Sequence, residues 1–157
     1  MATTQWKQTK FGRVWRLVGG CKDNWSNVET ATVGGKFAVG GPETYRLQHP
    51  AVESLRWVAK EIGAVGPFKV RSRPVRVTGS ARSCSLQASL YAQDPGRYAA
   101  PWVGLHTQAL AIDVDTNWQL ALDNKTEWKF KRAMREAGWT QSRPEDEPWH
   151  WSFGWTA

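Results

Sequence analysis

The run Leu110-Ala-Ile-Asp-Val-Asp115 constrains the fold more than any other segment. It alternates strictly, with Leu110, Ile112 and Val114 on one face and Ala111, Asp113 and Asp115 on the other, a two-residue period that fits a strand and not a helix. Asp113 therefore leaves the packed face and has a small neighbour, Ala111, which gives it room. A second alternating run closes the chain. Trp149, Trp151 and Phe153 share one face and His150 and Ser152 the other, so His150 projects from the polar side of its own strand.

Helical spacing appears around these strands. Val52, Leu55, Ala59 and Ile62 predict a helix over 50–62, with Pro50 suited to the first turn and Gly63 to the end. Ser83 offers an N-cap for a helix through Gln93, with Leu86 and Leu90 on one side and Asp94-Pro-Gly96 as the stop. A third helix is expected over 126–137, with Phe130, Met134 and Ala137 inward and Gly138 at its end. Pro74 to Thr78 reads as a strand with Val75 and Val77 on one face. Arg13 to Val18 and Lys36 to Val39 read as short strands in a Gly-rich N-terminal third. Strands and helices mix without regular βαβ alternation, so the fold class is α+β.

At 157 residues one domain is expected. No run reaches the ~20 apolar residues of a membrane-spanning helix. The N-terminus has no apolar signal core, which leaves work inside the cell, another exit route, or targeting segments outside this sequence. The net charge of +7 favours polyanionic partners, either nucleic acid or the anionic polymers of a bacterial wall, although the basic residues are scattered. Cys21 and Cys84 are too few for a thiolate metal site and read as two unrelated thiols, their pairing being illegible in sequence. Eleven tryptophans are the compositional oddity. Core packing is the first expectation for each, with a partner needed for any buried indole N–H, and an aromatic-rich cleft for sugar or peptide is the alternative.

Two of the three histidines flank this strand pattern. His106, Asp113 and His150 supply two imidazoles and a carboxylate, the donor types of a catalytic zinc with one position left for water. Glu147, three residues before His150, is placed to act as a general base. The spacing from His106 to Asp113 is weak as a motif, and a lone His in a Trp-rich strand is commonly a satisfied polar side chain. His49, before Pro50 at a helix start, reads as a capping or surface residue.

The ordered segments resemble the D-alanyl-D-alanine carboxypeptidases of the VanY type, within the wider set of zinc peptidases acting on peptidoglycan stem peptides. That family carries S-x-H-x-x-G-x-A-x-D and, downstream, E-x-W-H. Here these become Gly104-Leu-His106-Thr-Gln-Ala109-Leu-Ala111-Ile-Asp113 and Glu147-Pro-Trp149-His150. An upstream arginine element aligns with Ala81-Arg82-Ser83, then Gln87 and Leu90-Tyr91. The match covers about residues 50 to 155. Gly104, Ala109 and Ala81 depart from the usual serine, glycine and tyrosine, and Ala109 asks for a backbone that tolerates a Cβ.

The resemblance implies a small, mainly antiparallel sheet carrying the zinc site, flanked by helices, as in the D-Ala-D-Ala carboxypeptidase and hedgehog-like fold. It implies Zn2+ held by His106, Asp113 and His150, with Glu147 as base and then acid. Arg82 would hold the developing oxyanion or a substrate carboxylate. Gln87 would orient the peptide, or be merely an exposed helix residue, and Trp149 would pack beneath His150. The expected whole is a single peptidase domain over 1–157, its core at 50–155 and its first 48 residues an unmatched extension. It would act as a monomer on peptidoglycan stem peptides at the bacterial cell wall, as carboxypeptidase or endopeptidase, phage-encoded release being one route there. Anionic wall polymers are a second expected partner, nucleic acid is disfavoured, and no membrane is involved. The competing reading is a non-catalytic, basic, Trp-rich module binding cell wall or nucleic acid. Glu147 beside a complete ligand set favours the enzyme.

Overall fold

The computed structural model of the chain describes residues 3–22, 30–32, 46–61, 69–70, 73–74, 77–79, 82–98, 104–114 and 124–156. They form an α+β fold. The elements run β1 (Thr3–Thr9), β2 (Gly12–Val18), β3 (Thr30–Thr32), β4 (Arg46–Gln48), α1 (His49–Glu61), β5 (Lys69–Val70), β6 (Arg73–Pro74), β7 (Val77–Gly79), α2 (Cys84–Gln93), a 3-10 turn (Leu105–Gln108), β8 (Ala111–Val114), α3 (Asn124–Glu136), β9 (Trp139–Thr140) and β10 (His150–Phe153). The central sheet has the order β7-β8-β10-β9 and is antiparallel throughout. The pairs β1-β2, β3-β4 and β5-β6 stand as separate two-stranded units.

The three helices fall over the expected spans, within about two residues at each end. On α1, Ala51, Val52, Leu55 and Val58 are buried; on α3, Phe130, Ala133 and Met134 are, with Ala137 just beyond. These faces close over Ala111, Ile112, Val114, Trp139, Trp151 and Phe153 of the sheet to make one core. α3 ends at Gly138, whose φ of 103° is the left-handed stop that a residue without a Cβ supplies. The Ser83 side chain accepts from Leu86 N, the N-cap read from sequence. His49 opens α1 at the surface.

Several details differ from the sequence reading. α2 does not bury Leu86, which is 49% exposed; it buries Gln87, at 3%. Of the expected strand over 74–78, Pro74 is in β6 (Arg73–Pro74) and Val77 and Thr78 are in β7 (Val77–Gly79), while Val75 and Arg76 lie outside the described residues. So do Asp115, Ile62 and the expected strand at 36–39. The closing strand begins at His150 rather than Trp149, and both of its faces are buried because α3 and neighbouring strands enclose it. Buried indoles follow two courses: Trp139 Nε1 donates to Ser54 Oγ at 2.7 Å, whereas Trp151 Nε1 has no partner among the described residues.

The N-terminal third contains a regular hairpin, β1-β2, paired from Thr3↔Val18 to Thr9↔Gly12. Only β2 was legible, because Thr3-Thr-Gln-Trp-Lys-Gln-Thr9 has a single large apolar residue. The hairpin docks through polar side chains as well as Val14. Gln48 accepts from Trp15 N at 3.1 Å and donates to Trp15 O at 2.6 Å and to Gln108 O at 2.9 Å. Gln108 accepts from Leu17 N at 2.8 Å and donates to Gly20 O at 3.1 Å. Two buried glutamines thus satisfy the outer edge of β2, which an edge strand would otherwise leave to solvent.

Cys21 and Cys84 form a disulfide, with Cα atoms 5.6 Å apart across 63 residues of sequence. The reading of two unrelated thiols is therefore corrected. The hairpin brings Cys21 back to the first residue of α2, where Cys84 N also donates to Lys22 O at 3.1 Å. Such proximity is created by tertiary docking and has no local sequence signature.

Candidate metal centre

His106, Asp113 and His150 converge. Asp113 and His150 are direct cross-strand partners in the β8-β10 register, so both side chains leave the same face of the sheet. His106 arrives from the 3-10 turn just before β8. Its Nε2 lies 3.1 Å from Asp113 Oδ1 and 3.2 Å from His150 Nδ1, and the latter is 3.3 Å from the same Asp113 oxygen. All three side chains are largely buried.

The triangle fits a tetrahedral ion. With metal–donor bonds of 2.0–2.1 Å, two ligands of a tetrahedral zinc stand about 3.3 Å apart, close to all three observed sides. The triangle alone is a poorer hydrogen-bond arrangement, because each N–H points at one acceptor while every atom here has two close neighbours. Among the described residues this is the group of His, Cys, Asp and Glu side chains able to hold a metal.

Asp113 uses both oxygens. Oδ1 faces the imidazoles, and Oδ2 accepts from Arg82 Nη2 at 3.2 Å. Burial pushes its carboxyl upward, but the charge of His106 and the hydrogen bonds from both histidines outweigh that and hold it well below the usual carboxylate range. The donor oxygen is thus ionised at neutral pH, as metal binding requires.

Arg82 is tied at three points. Its N–H donates to His106 O at 2.9 Å, its Nη2 to Asp113, and its Nη1 to Gln87 Oε1 at 3.2 Å. The sequence reading gave Arg82 to substrate; the structure gives it a second task, fixing Asp113. Gln87 is a buried partner of Arg82 rather than an exposed helix residue.

The backbone turn behind His106 is set by Ala109, at φ 55° and ψ 37°. The expected accommodation of its Cβ does not take the form of ordinary extended or helical backbone. Ala109 occupies the left-handed region itself, the one non-glycine residue to do so among the described residues. Its carbonyl accepts from Gln48 N at 3.0 Å, and the turn redirects the chain from the 3-10 segment into β8.

A cavity of about 330 Å³ opens over the triangle. Arg82, Gln87, Gly104, Glu147 and Trp149 line it with the three donors. Trp149 therefore faces the cavity rather than lying only beneath His150. Glu147 is held by its own backbone: its N–H donates to Arg143 O at 2.7 Å, and its carbonyl accepts from His150 N at 3.0 Å. Sequence reasoning missed Arg97, Tyr98, Ser142 and Arg143, which also line the cavity. The Asp94-Pro-Gly96 turn that carries Arg97 and Tyr98 was legible only as a helix stop.

Neither a protein-family model nor a curated protein matches the chain. Among solved structures it is similar to a crystal structure of the vancomycin resistance D,D-dipeptidase VanXYg in complex with a D-Ala-D-Ala phosphinate analogue. Identity is 19% and the TM-score 0.49, over 71% of this chain and 51% of that one. The chain thus spans about half the length of that protein.

Proposed function

We propose that the chain is a zinc peptidase that hydrolyses a peptide bond in bacterial peptidoglycan stem peptides, as a D-Ala-D-Ala carboxypeptidase or an endopeptidase. The observation that carries the proposal is the donor triangle of His106, Asp113 and His150, with sides of 3.1, 3.2 and 3.3 Å, facing a cavity that also holds Glu147. The ordered motifs around Arg82, His106 to Asp113, and Glu147 to His150 support the substrate class.

Zinc bound there would supply Lewis acidity, lowering the pKa of a water towards about 7 and polarising the scissile carbonyl. The protein's own groups do the rest. Glu147 takes a proton from the attacking water on its carboxylate and delivers it to the leaving amine nitrogen. Arg82 keeps Asp113 oriented through Oδ2. Its five N–H donors outnumber the bonds to Asp113 and Gln87, so the same guanidinium can meet a substrate carboxylate or the developing oxyanion. Gln87 fixes the plane of that guanidinium. A cavity near 330 Å³ sits at the small end of ligand sites, the size of a peptide terminus rather than a folded chain.

The Cys21–Cys84 disulfide supports action in an oxidising compartment, consistent with work at the cell wall. Purified peptidoglycan treated with the protein should release peptide fragments identifiable by mass spectrometry, with a chelator abolishing release and zinc restoring it. Digestion that continues in the presence of the chelator would contradict the proposal.

A further inference from the structure

We propose that the outward face of the β1-β2 hairpin binds an anionic polysaccharide, laid along Trp6 and Trp15. Residues 3–22 hold no carboxylate side chain; of their five cations Arg13 and Lys22 stand at Trp6 and Trp15, while Lys7 and Arg16 stack on Trp155 and Lys10 on Trp57. The register separates the two faces. Val14 enters the core on one side, so the cross-strand pairs Trp6↔Trp15 and Gln8↔Arg13 lie on the other.

On that outer face the side chains form a row. The Arg13 guanidinium carbon sits 4.5 Å from the centre of the Trp6 ring, Trp6 and Trp15 are 6.3 Å apart at 47°, and Lys22 Nζ lies 5.5 Å from the Trp15 ring. Trp6 is 53% exposed, a large apolar ring left in water. Cations at both ends of an aromatic platform suit a ligand that alternates C–H ring faces with carboxylate or phosphate groups. Acidic sugars have that alternation. The disulfide favours them over nucleic acid, because it belongs to oxidising compartments, away from the reduced interior where nucleic acid resides.

The strand that carries the row is anchored to the body of the fold. Gln48 and Gln108 clamp β2, and Lys22 O accepts from Cys84 N, two residues from Arg82. Recognition is a binding event and stands apart from hydrolysis.

The test is a titration of the full chain, followed by tryptophan fluorescence, with polygalacturonate, neutral dextran and single-stranded DNA. Polygalacturonate should bind with an affinity that falls with salt, and dextran should not bind. Trp6→Ala and the pair Arg13→Gln with Lys22→Gln should each weaken binding by roughly tenfold or more, with melting temperature unchanged. If Trp6→Ala lowers the melting temperature, Trp6→Tyr should fold and retain binding, and the charge pair carries the comparison. Glu147→Gln should bind like the wild type, so failure here is separable from failure of the peptidase reading. Absent polygalacturonate binding, binding indifferent to these substitutions, equal binding of dextran, or tighter binding of DNA would each overturn the proposal.

Discussion

Asp113 and Arg82 are bonded side chain to side chain across 31 residues of sequence, Arg82 Nη2 donating to Asp113 Oδ2 at 3.2 Å while Asp113 Oδ1 faces both histidines. The carboxylate is held from behind, so the arginine governs the geometry of the donor triangle without belonging to it. Arg82→Ala should weaken zinc binding by about 10- to 100-fold, the usual effect of losing a group that orients a ligand. Arg82→Lys should recover little of it, because one ammonium cannot span Asp113 and Gln87 as the planar fork does. A competition titration with a chromophoric chelator reads both variants, and unchanged affinity in Arg82→Ala would contradict this role.

The depressed Asp113 carboxyl makes folding pH-dependent in a defined direction. Its folded value lies below that of the unfolded chain, near 4. The stabilisation is therefore present above about pH 4 and drains away as pH falls below it. In metal-free protein, the acid limb of a urea-denaturation series should be shallower for Asp113→Asn than for the wild type. Identical acid limbs would show that the carboxylate is not stabilised by its partners.

The disulfide should contribute substantially to stability. Closing a loop of 63 residues corresponds to about 4 kcal/mol, since it restricts the unfolded chain. Cys84→Ser should lower the melting temperature, and adding reductant should lower that of the wild type to a similar value. A wild type insensitive to reductant would contradict the pairing.

Much of this architecture was legible because local rules and tertiary structure agree. The Ser83 cap, the Gly138 stop and the apolar faces of α1 and α3 are local signals that the core confirms. The alternation around Asp113 and His150 correctly placed both on polar strand faces; their direct pairing was not legible, because register depends on which strands meet. Gln48 and Gln108 were opaque for a related reason, as was the burial of Gln87, which the resemblance alone had singled out. A glutamine reads as a surface residue until docking brings it a buried backbone or guanidinium to satisfy. The cysteine pair and β1 were hidden in the same way.

Ala109 is a local exception with a measurable consequence. An alanine in the left-handed region bears a strain of about 1–2 kcal/mol that glycine avoids. Its buried methyl and the lower entropy of the unfolded chain offset most of that. Ala109→Gly should therefore change stability by less than about 1 kcal/mol, whereas Ala109→Val, β-branched and overpacked, should cost more than about 2 kcal/mol. Urea midpoints check both, and equal tolerance of the two would show that the turn is not confined to this backbone region.

In the proposed enzyme, His106, Asp113 and His150 hold one zinc ion that Glu147 exploits. The most direct measurement is the zinc content of purified wild type, His150→Ala and Glu147→Gln by elemental analysis, paired with their rates of peptide release from peptidoglycan. The expected result is about one zinc per chain in the wild type and in Glu147→Gln, and almost none in His150→Ala. Turnover in Glu147→Gln should fall by about 10²–10⁴-fold despite its full metal load. One tightly bound zinc in His150→Ala, or wild-type turnover in Glu147→Gln, would contradict the account.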